Sequence, residues 1–312
     1  MTILGIETSH DDTSIALWKN NKIIEFIIFS QIDIFKEFGG TIPEIASREH
    51  TKNIQIILNK LLKTINFKQI DLIAYTSEPG LIGSLQVGKL FAYALSSALQ
   101  VELMPINHML GHLYSVNIEK EAIKYPALAL VVSGGHSEII KCDFPGDYQI
   151  IGQTQDDAIG EVFDKISSKL NLGFPGGPII NKIYNESTFD SYINFTKPRT
   201  LNEFDFSFSG LKTQVINYHN KHQSEENYNI NLVVSSFMDT SINYLLSKFK
   251  LAIKKFEPNS IILCGGVSSN SILRERFLKL HSNAFIPEKK YCQDNAAMIA
   301  QCAFELKRRK NV

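Results

Sequence analysis

Residues 3–30 read ILGIETSHDDTSIALWKNNKIIEFIIFS. Three apolar segments, at 3–8, 13–18 and 23–30, are separated by the acidic connection SHDD at 9–12 and by a polar turn at 19–22. Short segments rich in β-branched and aromatic residues, with turns between them, are typical of strands. The sequence therefore predicts three consecutive antiparallel strands at the start of the chain.

The same order of segments returns near residue 127. Apolar segments at 127–132, 137–142 and 148–153 flank the tight turn SGGH at 133–136 and a second turn at 145–147. The two copies share negligible sequence identity, so the predicted repeat concerns architecture alone. After each copy, helical periodicity and a further strand follow, at 71–76 and at 260–264.

The remaining patterns complete an α/β order. Apolar spacing predicts helices from residue 48 onward and at 84–99, 161–170, 232–256 and 273–280. We interpret FPGGP at 174–178 as a helix stop, 186–206 as less regular, 219–229 as a surface loop and Asp294 as the N-cap of the last helix. The order predicts two lobes, 1–125 and 126–312, facing a central cleft towards which the last helix returns. This is the plan of the actin-like, sugar-kinase and Hsp70 ATPase (ASKHA) superfamily.

Composition narrows the functional classes. Lys and Arg (32) balance Asp and Glu (32), so an RNA partner would have to meet a local basic patch or be held with the help of another subunit. The four cysteines form no Cys-x-x-Cys pair and are interpreted as reduced structural thiols. The sequence shows no cationic leader and no apolar run of membrane-spanning length. We therefore expect a cytoplasmic protein without a membrane partner.

A histidine pair indicates a metal site. In HMLGH, His108 and His112 are four residues apart, which places both imidazoles on one face of a helix. The alternative is a helix whose histidines bond only to backbone groups. Asp294 is the natural third ligand, because hard or borderline cations accept carboxylate oxygen beside imidazole. Together these residues would form a two-histidine, one-carboxylate site.

Glycine turns indicate a nucleotide pocket. SGG at 133–135, PGG at 175–177 and GG at 265–266 lie at predicted element ends, and Asn270 opens a helix. Glycine lets backbone amides approach a phosphate or ribose closely. One such turn is weak evidence, but three of them favour a pocket for a nucleotide.

Acidic residues cluster at two places. Asp157, Glu161 and Asp164 share a helix face, which suggests that they serve hydroxyls, amines or a cation, although charge near a helix N-terminus is the alternative. Asp11 and Asp12 lie at the tip of the first hairpin, where a carboxylate pair either acts as a base or solvates the turn.

In combination these stretches resemble the TsaD family, the tRNA N6-adenosine threonylcarbamoyltransferases, formerly described as O-sialoglycoprotein endopeptidases. The likeness covers nearly the whole chain, through LGIETSHDDTSIA, GGTIPEIASREH, HMLGH, VSGGHSE, DDAIGEVFDKISSKLNLGFPGGP, FSFSGLKT, CGGVSSN and CQDNAAMIA. Together they are far more specific than any single motif.

The resemblance implies transfer of a threonylcarbamoyl group from threonylcarbamoyl-AMP to N6 of adenosine 37 in tRNAs that read ANN codons. It implies one iron(II) ion per subunit, or zinc, on His108, His112 and Asp294, with Asp11 as the expected acid–base or electrostatic helper. It also implies that the intermediate binds at Val131, Val132, Ser133, Gly134, Gly135, Asp164, Gly177 and Asn270.

The family's partners and this chain's departures from its pattern also bear on function. The resemblance implies a catalytically inert TsaB-like paralogue and a TsaE-like ATPase as partners, in agreement with the neutral charge, and the predicted helix at 84–99 is a candidate dimer face or core element. The usual cysteine of the first motif is His10 here, the usual glutamate is Asp12, and Asn107 stands where a paired histidine is common. We expect His10 to be a tolerated surface change.

Three alternatives remain open. A metallopeptidase would use the histidine pair, but Met109 stands where a His-Glu-x-x-His site has its glutamate base. A kinase of the same superfamily would use Asp11 or Asp12 with magnesium ATP, yet kinases have no need of a nitrogen-ligated metal. A noncatalytic scaffold resembling TsaB would not bind iron or zinc stoichiometrically.

Overall fold

The computed structural model describes residues 1–38, 40–120 and 122–310. Gly39, the first residue of the GGTIPEIASREH motif, lies outside the described residues. Contacts between Cα atoms divide the chain into two compact units, Met1–Ile123 with Pro287–Val312, and Lys124–Ile286. Residues 287–312 were predicted to belong to the second lobe. The contacts group them with the first unit instead.

The elements follow the predicted α/β order. The strands are β1 (Thr2–Glu7), β2 (Asp12–Lys19), β3 (Lys22–Ser30), β4 (Leu72–Glu78), β5 (Glu102–Asn107), β6 (Ala127–Val132), β7 (Ser137–Cys142), β8 (Gln149–Gln153), β9 (Ser260–Cys264) and β10 (Ala284–Phe285). The α-helices are α1 (Ile32–Phe35), α2 (Pro43–Thr64), α3 (Ile82–Leu99), α4 (His108–Tyr114), α5 (Ile159–Lys169), α6 (Gly176–Glu186), α7 (Ser209–His222), α8 (Ile230–Phe256), α9 (Ser271–Leu278) and α10 (Ala296–Lys310).

Each unit is built on a five-stranded sheet of the same topology. The first sheet has the order β3-β2-β1-β4-β5, and the second has β8-β7-β6-β9-β10. In both, the first three strands pair antiparallel and the last two add in parallel. The predicted architectural repeat is therefore confirmed.

In the first unit, the core packs β1, β2 and β4 against α2 and α3. Leu4, Ile6 and Ile15 from the sheet meet Ile57 and Leu61 from α2. Helix α2 begins at Pro43, five residues before the predicted start, because proline suits the first turn, where its missing N–H is not needed. On the other helix, α3, the buried residues are the small Ser84, Gly88 and Ala92.

In the second unit, a larger apolar core lies between the sheet and helices α5 to α9. Two sequence interpretations were wrong here. FPGGP was interpreted as a helix stop, but it also contains a helix start. Residues 176–186 form α6, and Gly176, Gly177 and Pro178 make its first turn. Residues 219–222, predicted as loop, are the last turn of α7.

Among the described residues, none of the helices has both the length and the apolar character that a membrane span requires.

Candidate metal centre

The two histidines lie on the short helix α4 at the carboxyl end of β5. Asn107 caps this helix, because its side-chain oxygen accepts hydrogen bonds from the backbone N–H groups of Met109 (2.9 Å) and Leu110 (3.3 Å). The cap sets the helix to begin at His108. The imidazoles of His108 and His112 are buried, with ring centroids 4.6 Å apart in an edge-to-face arrangement.

Asp294 reaches this pair from the loop before α10. Its neighbour Asn295 caps α10, with its side-chain oxygen accepting from the backbone N–H of Met298 at 3.0 Å. The prediction that Asp294 is the N-cap was therefore wrong. The cap on Asn295 leaves the carboxylate of Asp294 directed at the histidines, and a hydrogen bond of 3.0 Å from the Ala296 N–H to Ser14 Oγ ties the same turn to β2.

Three ligand atoms converge at this point. Oδ1 of Asp294 lies 3.1 Å from Nε2 of His112 and 3.4 Å from Nε2 of His108. Atoms that bind one transition-metal ion at about 2.1 Å stand about 3.0 to 3.4 Å from one another. His108, His112 and Asp294 are thus brought together in a set that could hold a metal ion, with all ligand atoms within 4.8 Å.

Glu7, at the end of β1, is a further residue of this cluster that no local pattern in the sequence indicates. Its side chain is 0 % exposed and its Oε2 lies 3.1 Å from Nδ1 of His108. The carboxylate also accepts from the hydroxyl of Thr76 (2.6 Å) and from the backbone N–H of Ser9 (2.5 Å). Since an ionised carboxylate only accepts, Nδ1 carries the proton when the imidazole of His108 is neutral, and its Nε2 is then left to bind an ion.

The electrostatics of the cluster favour a cation. Burial opposes protonation, but the charges of Asp294 and Glu7 raise the pKa of His108 to about 10. For Asp294, burial acts in the opposite direction, yet the two histidines hold the pKa of the carboxyl well below its usual range. Two carboxylates around two imidazoles therefore attract either a proton or a metal ion, and a divalent ion would balance both negative charges.

The hairpin between β1 and β2 carries Asp11. Its Oδ1 lies 2.9 Å from Nδ1 of His10, and its backbone oxygen accepts from the N–H of Gln31 at 3.0 Å. Burial opposes the charged imidazole, but the hydrogen bond and charge of Asp11 raise the pKa of His10 overall. His50 also contacts the hairpin, with its Nε2 2.9 Å from the carbonyl oxygen of His10.

Asp12 is buried beside this hairpin. Its Oδ1 has no hydrogen-bond partner among the described residues. Burial, and next the charge of Asp11, raise the pKa of Asp12 to about 7. Asp12 therefore differs from Asp11 in its environment, although the two are adjacent in sequence.

In the second unit, the glycine turns at 133–135 and 265–266 lie at the same edge of the sheet, because β6 and β9 are parallel neighbours. Gly265 has φ +88°, and a Cβ atom there would meet the carbonyl of Val132. At Gly134 and Gly135 an added Cβ would meet nothing within 4 Å. Gly134 and Gly135 are exposed, so the backbone of the turn that follows Val131 and Val132 and begins at Ser133 is open to solvent.

The other proposed binding residues also have structural contacts. Oδ1 of Asp164 on α5 accepts from the backbone N–H of Gly176 at 2.6 Å, which fixes the start of α6 beside Gly177. Asn270 caps α9 by accepting from the N–H groups of Ile272 (3.1 Å) and Leu273 (3.0 Å). Its amide nitrogen lies 3.3 Å from the sulfur of Met238.

Two members of the predicted acidic cluster are paired with lysines, and Asp157 precedes α5, so it does not share a helix face with Glu161 and Asp164 as predicted. Asp157 binds Lys165 at 2.8 Å and also binds Lys212 on α7, while Glu161 binds Lys165 at 2.7 Å. The amines that these two carboxylates bind are thus those of the chain itself, and Asp157 links α5 to α7 through Lys165 and Lys212. Asp164 is the member of the cluster that lies nearest in sequence to the glycine turn at 175–177.

Comparison with known proteins identifies the family. The family described as "TsaD: tRNA N6-adenosine threonylcarbamoyltransferase" matches residues 22–301. A tRNA N6-adenosine threonylcarbamoyltransferase of Mycoplasmopsis synoviae is 59% identical over 311 residues, covering 100% of both chains. One of Mycoplasmopsis agalactiae is 56% identical, covering 99% of this chain and 100% of the relative.

Solved structures show the fold more widely. Full-length HypF in its phosphate- and nucleotide-bound form matches with a TM-score of 0.67 at 13% identity, covering 100% of this chain and 47% of HypF. The activator of the 2-hydroxyisocaproyl-CoA dehydratase from Clostridium difficile matches with a TM-score of 0.58 at 15% identity, covering 100% and 98%. At such identities the likeness concerns the fold, which is of the ASKHA type.

Proposed function

Since the chain belongs to the TsaD family and is a tRNA N6-adenosine threonylcarbamoyltransferase that forms t6A, we propose that it transfers the threonylcarbamoyl group from threonylcarbamoyl-AMP to N6 of adenosine 37 in tRNAs that read ANN codons. The single observation that supports a metal-assisted route is the convergence of Nε2 of His108, Nε2 of His112 and Oδ1 of Asp294.

The ion that suits this site is iron(II), with zinc as the second choice. Two imidazoles and one carboxylate are the ligands of borderline divalent metals, whereas magnesium and calcium prefer oxygen alone. When bound, such an ion supplies a Lewis acid that stabilises negative charge on a carbonyl oxygen. His108, held through Nδ1 by Glu7, and His112, enclosed in the core, would keep the ligand nitrogens in place.

Asp11 is the residue that we assign to acid–base or electrostatic assistance. The exocyclic amine of adenosine loses a proton when it attacks the carbamoyl carbon, and AMP departs with the electrons of the broken bond. A carboxylate oxygen of Asp11 would accept that proton or stabilise the charge that develops. Its side chain is 21% exposed, and the His10 contact orients it.

The intermediate is assigned to the second unit. The open space over Gly134 and Gly135 supports a phosphate or ribose at the turn after β6. We include Val131, Val132, Ser133, Asp164, Gly177 and Asn270 in this site. Gly177 lies in the first turn of α6, where an added Cβ would be in ordinary contact with the ring of Phe163 at 3.8 Å.

The alternatives have less support. Met109, which stands where a metallopeptidase has its glutamate, is buried and offers no base. A kinase reaction gives no role to the converging histidines. A scaffold without catalysis would not need Glu7 to orient a ligand histidine.

Protein partners are part of the proposal. We propose a TsaB-like paralogue, with a TsaE-like ATPase, in the cytoplasm where tRNA is modified. Helix α3 supports an interface, since its outer face exposes Ile82 (80%), Leu90 (68%) and Tyr93 (52%) while Gly88 and Ala92 face the core.

The test is mass analysis of t6A in tRNA from cells depleted of this protein. We expect t6A to fall on depletion and to return with the wild-type gene but not with His112→Ala. The purified His112→Ala protein should also bind substoichiometric iron or zinc while keeping its circular dichroism spectrum. Normal t6A without the protein would refute the function, and full activity of His112→Ala would refute the metal role alone.

A further inference from the structure

Positive charge is concentrated in one part of the second unit. The whole chain is neutral, but between residues 240 and 280 it holds seven lysines and arginines and two glutamates, a formal net charge of +5. This segment contains the second half of α8, β9 and α9. A neutral chain with one locally basic segment fits the expectation that an RNA partner must meet a local patch.

Several of these cations line one groove. It has a volume of about 660 Å³ and lies between α8, the end of α9 and the segment that joins α6 to α7. Leu246 and Ile253 on α8 give it an apolar wall. Its basic members are Lys197, Lys250, Arg276 and Lys279, and none of the described residues that line it is acidic. We call these four residues with Leu246 and Ile253 the basic groove.

The four cations differ in their partners. Arg276 is held in place, with its guanidinium 2.7 Å from Asp239 Oδ1 and 2.8 Å from Asn243 Oδ1. Lys279 pairs with Glu275 at 2.6 Å. Lys197 and Lys250 are exposed and form no ion pair with any of the described residues. Their charges are therefore the ones that are left for an anion.

We propose that the basic groove binds the phosphate backbone of the tRNA substrate. Cations contributed by three separate elements suit a chain of phosphates better than a single small anion, and the apolar wall accommodates a ribose. The fixed guanidinium of Arg276 positions the nucleic acid, while Lys197 and Lys250 each neutralise a phosphate. The proposal rests on tRNA being the substrate and is independent of the metal site.

The test compares two variants of the full-length enzyme. Lys197→Gln/Lys250→Gln removes the two cations that form no ion pair with the described residues, and Lys221→Gln removes another exposed lysine, on α7, that is not among the residues that line the groove. Affinity for an unmodified tRNA transcript is measured at several salt concentrations, together with KM for tRNA and kcat in t6A formation.

For the double variant we expect the affinity for tRNA to fall about tenfold near 0.1 M salt. The slope of log K against log salt should shrink by about 1.5, since two phosphates are no longer neutralised. KM for tRNA should rise by about the same factor as the affinity falls. The kcat at saturating tRNA and the metal content of the protein should stay unchanged. Lys221→Gln should match the wild type in every measurement.

Two results would overturn the proposal. One is a double variant whose tRNA affinity, KM for tRNA and salt slope equal those of the wild type. The other is an equal loss of tRNA affinity in Lys221→Gln, which would mean that any surface lysine contributes. The wild-type enzyme in the same assay, supplied with its TsaB-like and TsaE-like partners and threonylcarbamoyl-AMP, reports separately on the proposed function, because absence of t6A there would refute the activity and not the groove.

Discussion

Oε2 of Glu7 lies 3.1 Å from Nδ1 of His108, although 101 residues separate the two in sequence. The contact joins the end of β1 to the first residue of α4 and fixes which nitrogen of His108 carries a proton. A carboxylate behind a ligand histidine orients the ring and raises its basicity. A substitution of Glu7 therefore tests the effect of this contact on metal binding without removing any of the three proposed ligands.

Replacing Glu7 by Gln should weaken metal binding by about 10- to 100-fold. The amide keeps the shape of the side chain, but it is neutral and its nitrogen competes to donate to Nδ1, which favours the tautomer whose Nε2 is blocked. Affinity is measured by competition with a chromogenic chelator for zinc or cobalt. Thr76→Val, which removes another hydrogen bond to the same carboxylate oxygen, is the matched control and should cost at most a few-fold. Wild-type affinity in Glu7→Gln would contradict the orienting role.

Asp11→Asn should reduce the rate of t6A formation by about 100-fold or more, with metal content unchanged. The variant keeps the hairpin and removes only the charge. Because the carboxylate raises the pKa of His10, the imidazole of His10 should also titrate at lower pH in the variant, as followed by NMR. Asp33→Asn, at an exposed position on α1, controls for loss of a negative charge. An unchanged rate would remove Asp11 from the mechanism.

Asp12→Asn should stabilise the protein at pH 8 but not at pH 4. Burial and the charge of Asp11 raise the pKa of Asp12 to about 7 in the folded state, whereas an unfolded aspartate has a pKa of about 3.9. Between those values the unfolded chain releases a proton that the folded protein keeps, so the free energy of unfolding falls as pH rises and stays lower above pH 7.

We expect the gain from Asp12→Asn to be about 4 kcal/mol at pH 8, from about three pKa units at about 1.4 kcal/mol each. Urea unfolding at both pH values, with chelator present, measures it. Equal differences between variant and wild type at pH 4 and pH 8 would show that Asp12 does not titrate in this window.

Gly5→Ala should destabilise the protein by about 2 to 4 kcal/mol. A Cβ atom at this position in β1 would meet the backbone oxygen of Ala296, and the main chain of α10 has little freedom to move away. Gly210→Ala, in the first turn of α7 with nothing within 4 Å, is the control and should be neutral or slightly stabilising. Thermal unfolding distinguishes the two, and equal stability would argue against close packing of α10 on β1.

Local patterns were enough to predict much of this protein. The alternation of short apolar segments and turns gave both three-stranded units, because strand pairing between neighbours in sequence needs no distant information. The spacing of His108 and His112 placed both imidazoles on one helix face for the same reason. FPGGP was misinterpreted because glycine and proline mark helix starts as well as stops, and only the packing of Gly176 against Phe163 decides which.

Contacts between distant residues could not be predicted. Nothing near Glu7 in sequence signals a histidine 101 residues away. The pairing of Glu161 with Lys165 follows from their spacing, but Lys212 reaches Asp157 from α7, 55 residues further on. Asp294 and Asn295 are both common caps, and the burial of Asn295 against the turn at Tyr291 assigns the role to the second.

The third proposed ligand comes late in the chain. Asp294 lies 182 residues after His112, and the polypeptide forms the second unit before it returns to complete the first. During translation, a nascent chain that has not passed residue 294 holds both imidazoles but neither the carboxylate nor α10. If His108, His112 and Asp294 hold the ion as proposed, metal loading follows the synthesis of the second unit, and a chain stalled before residue 294 lacks one of the three proposed ligands.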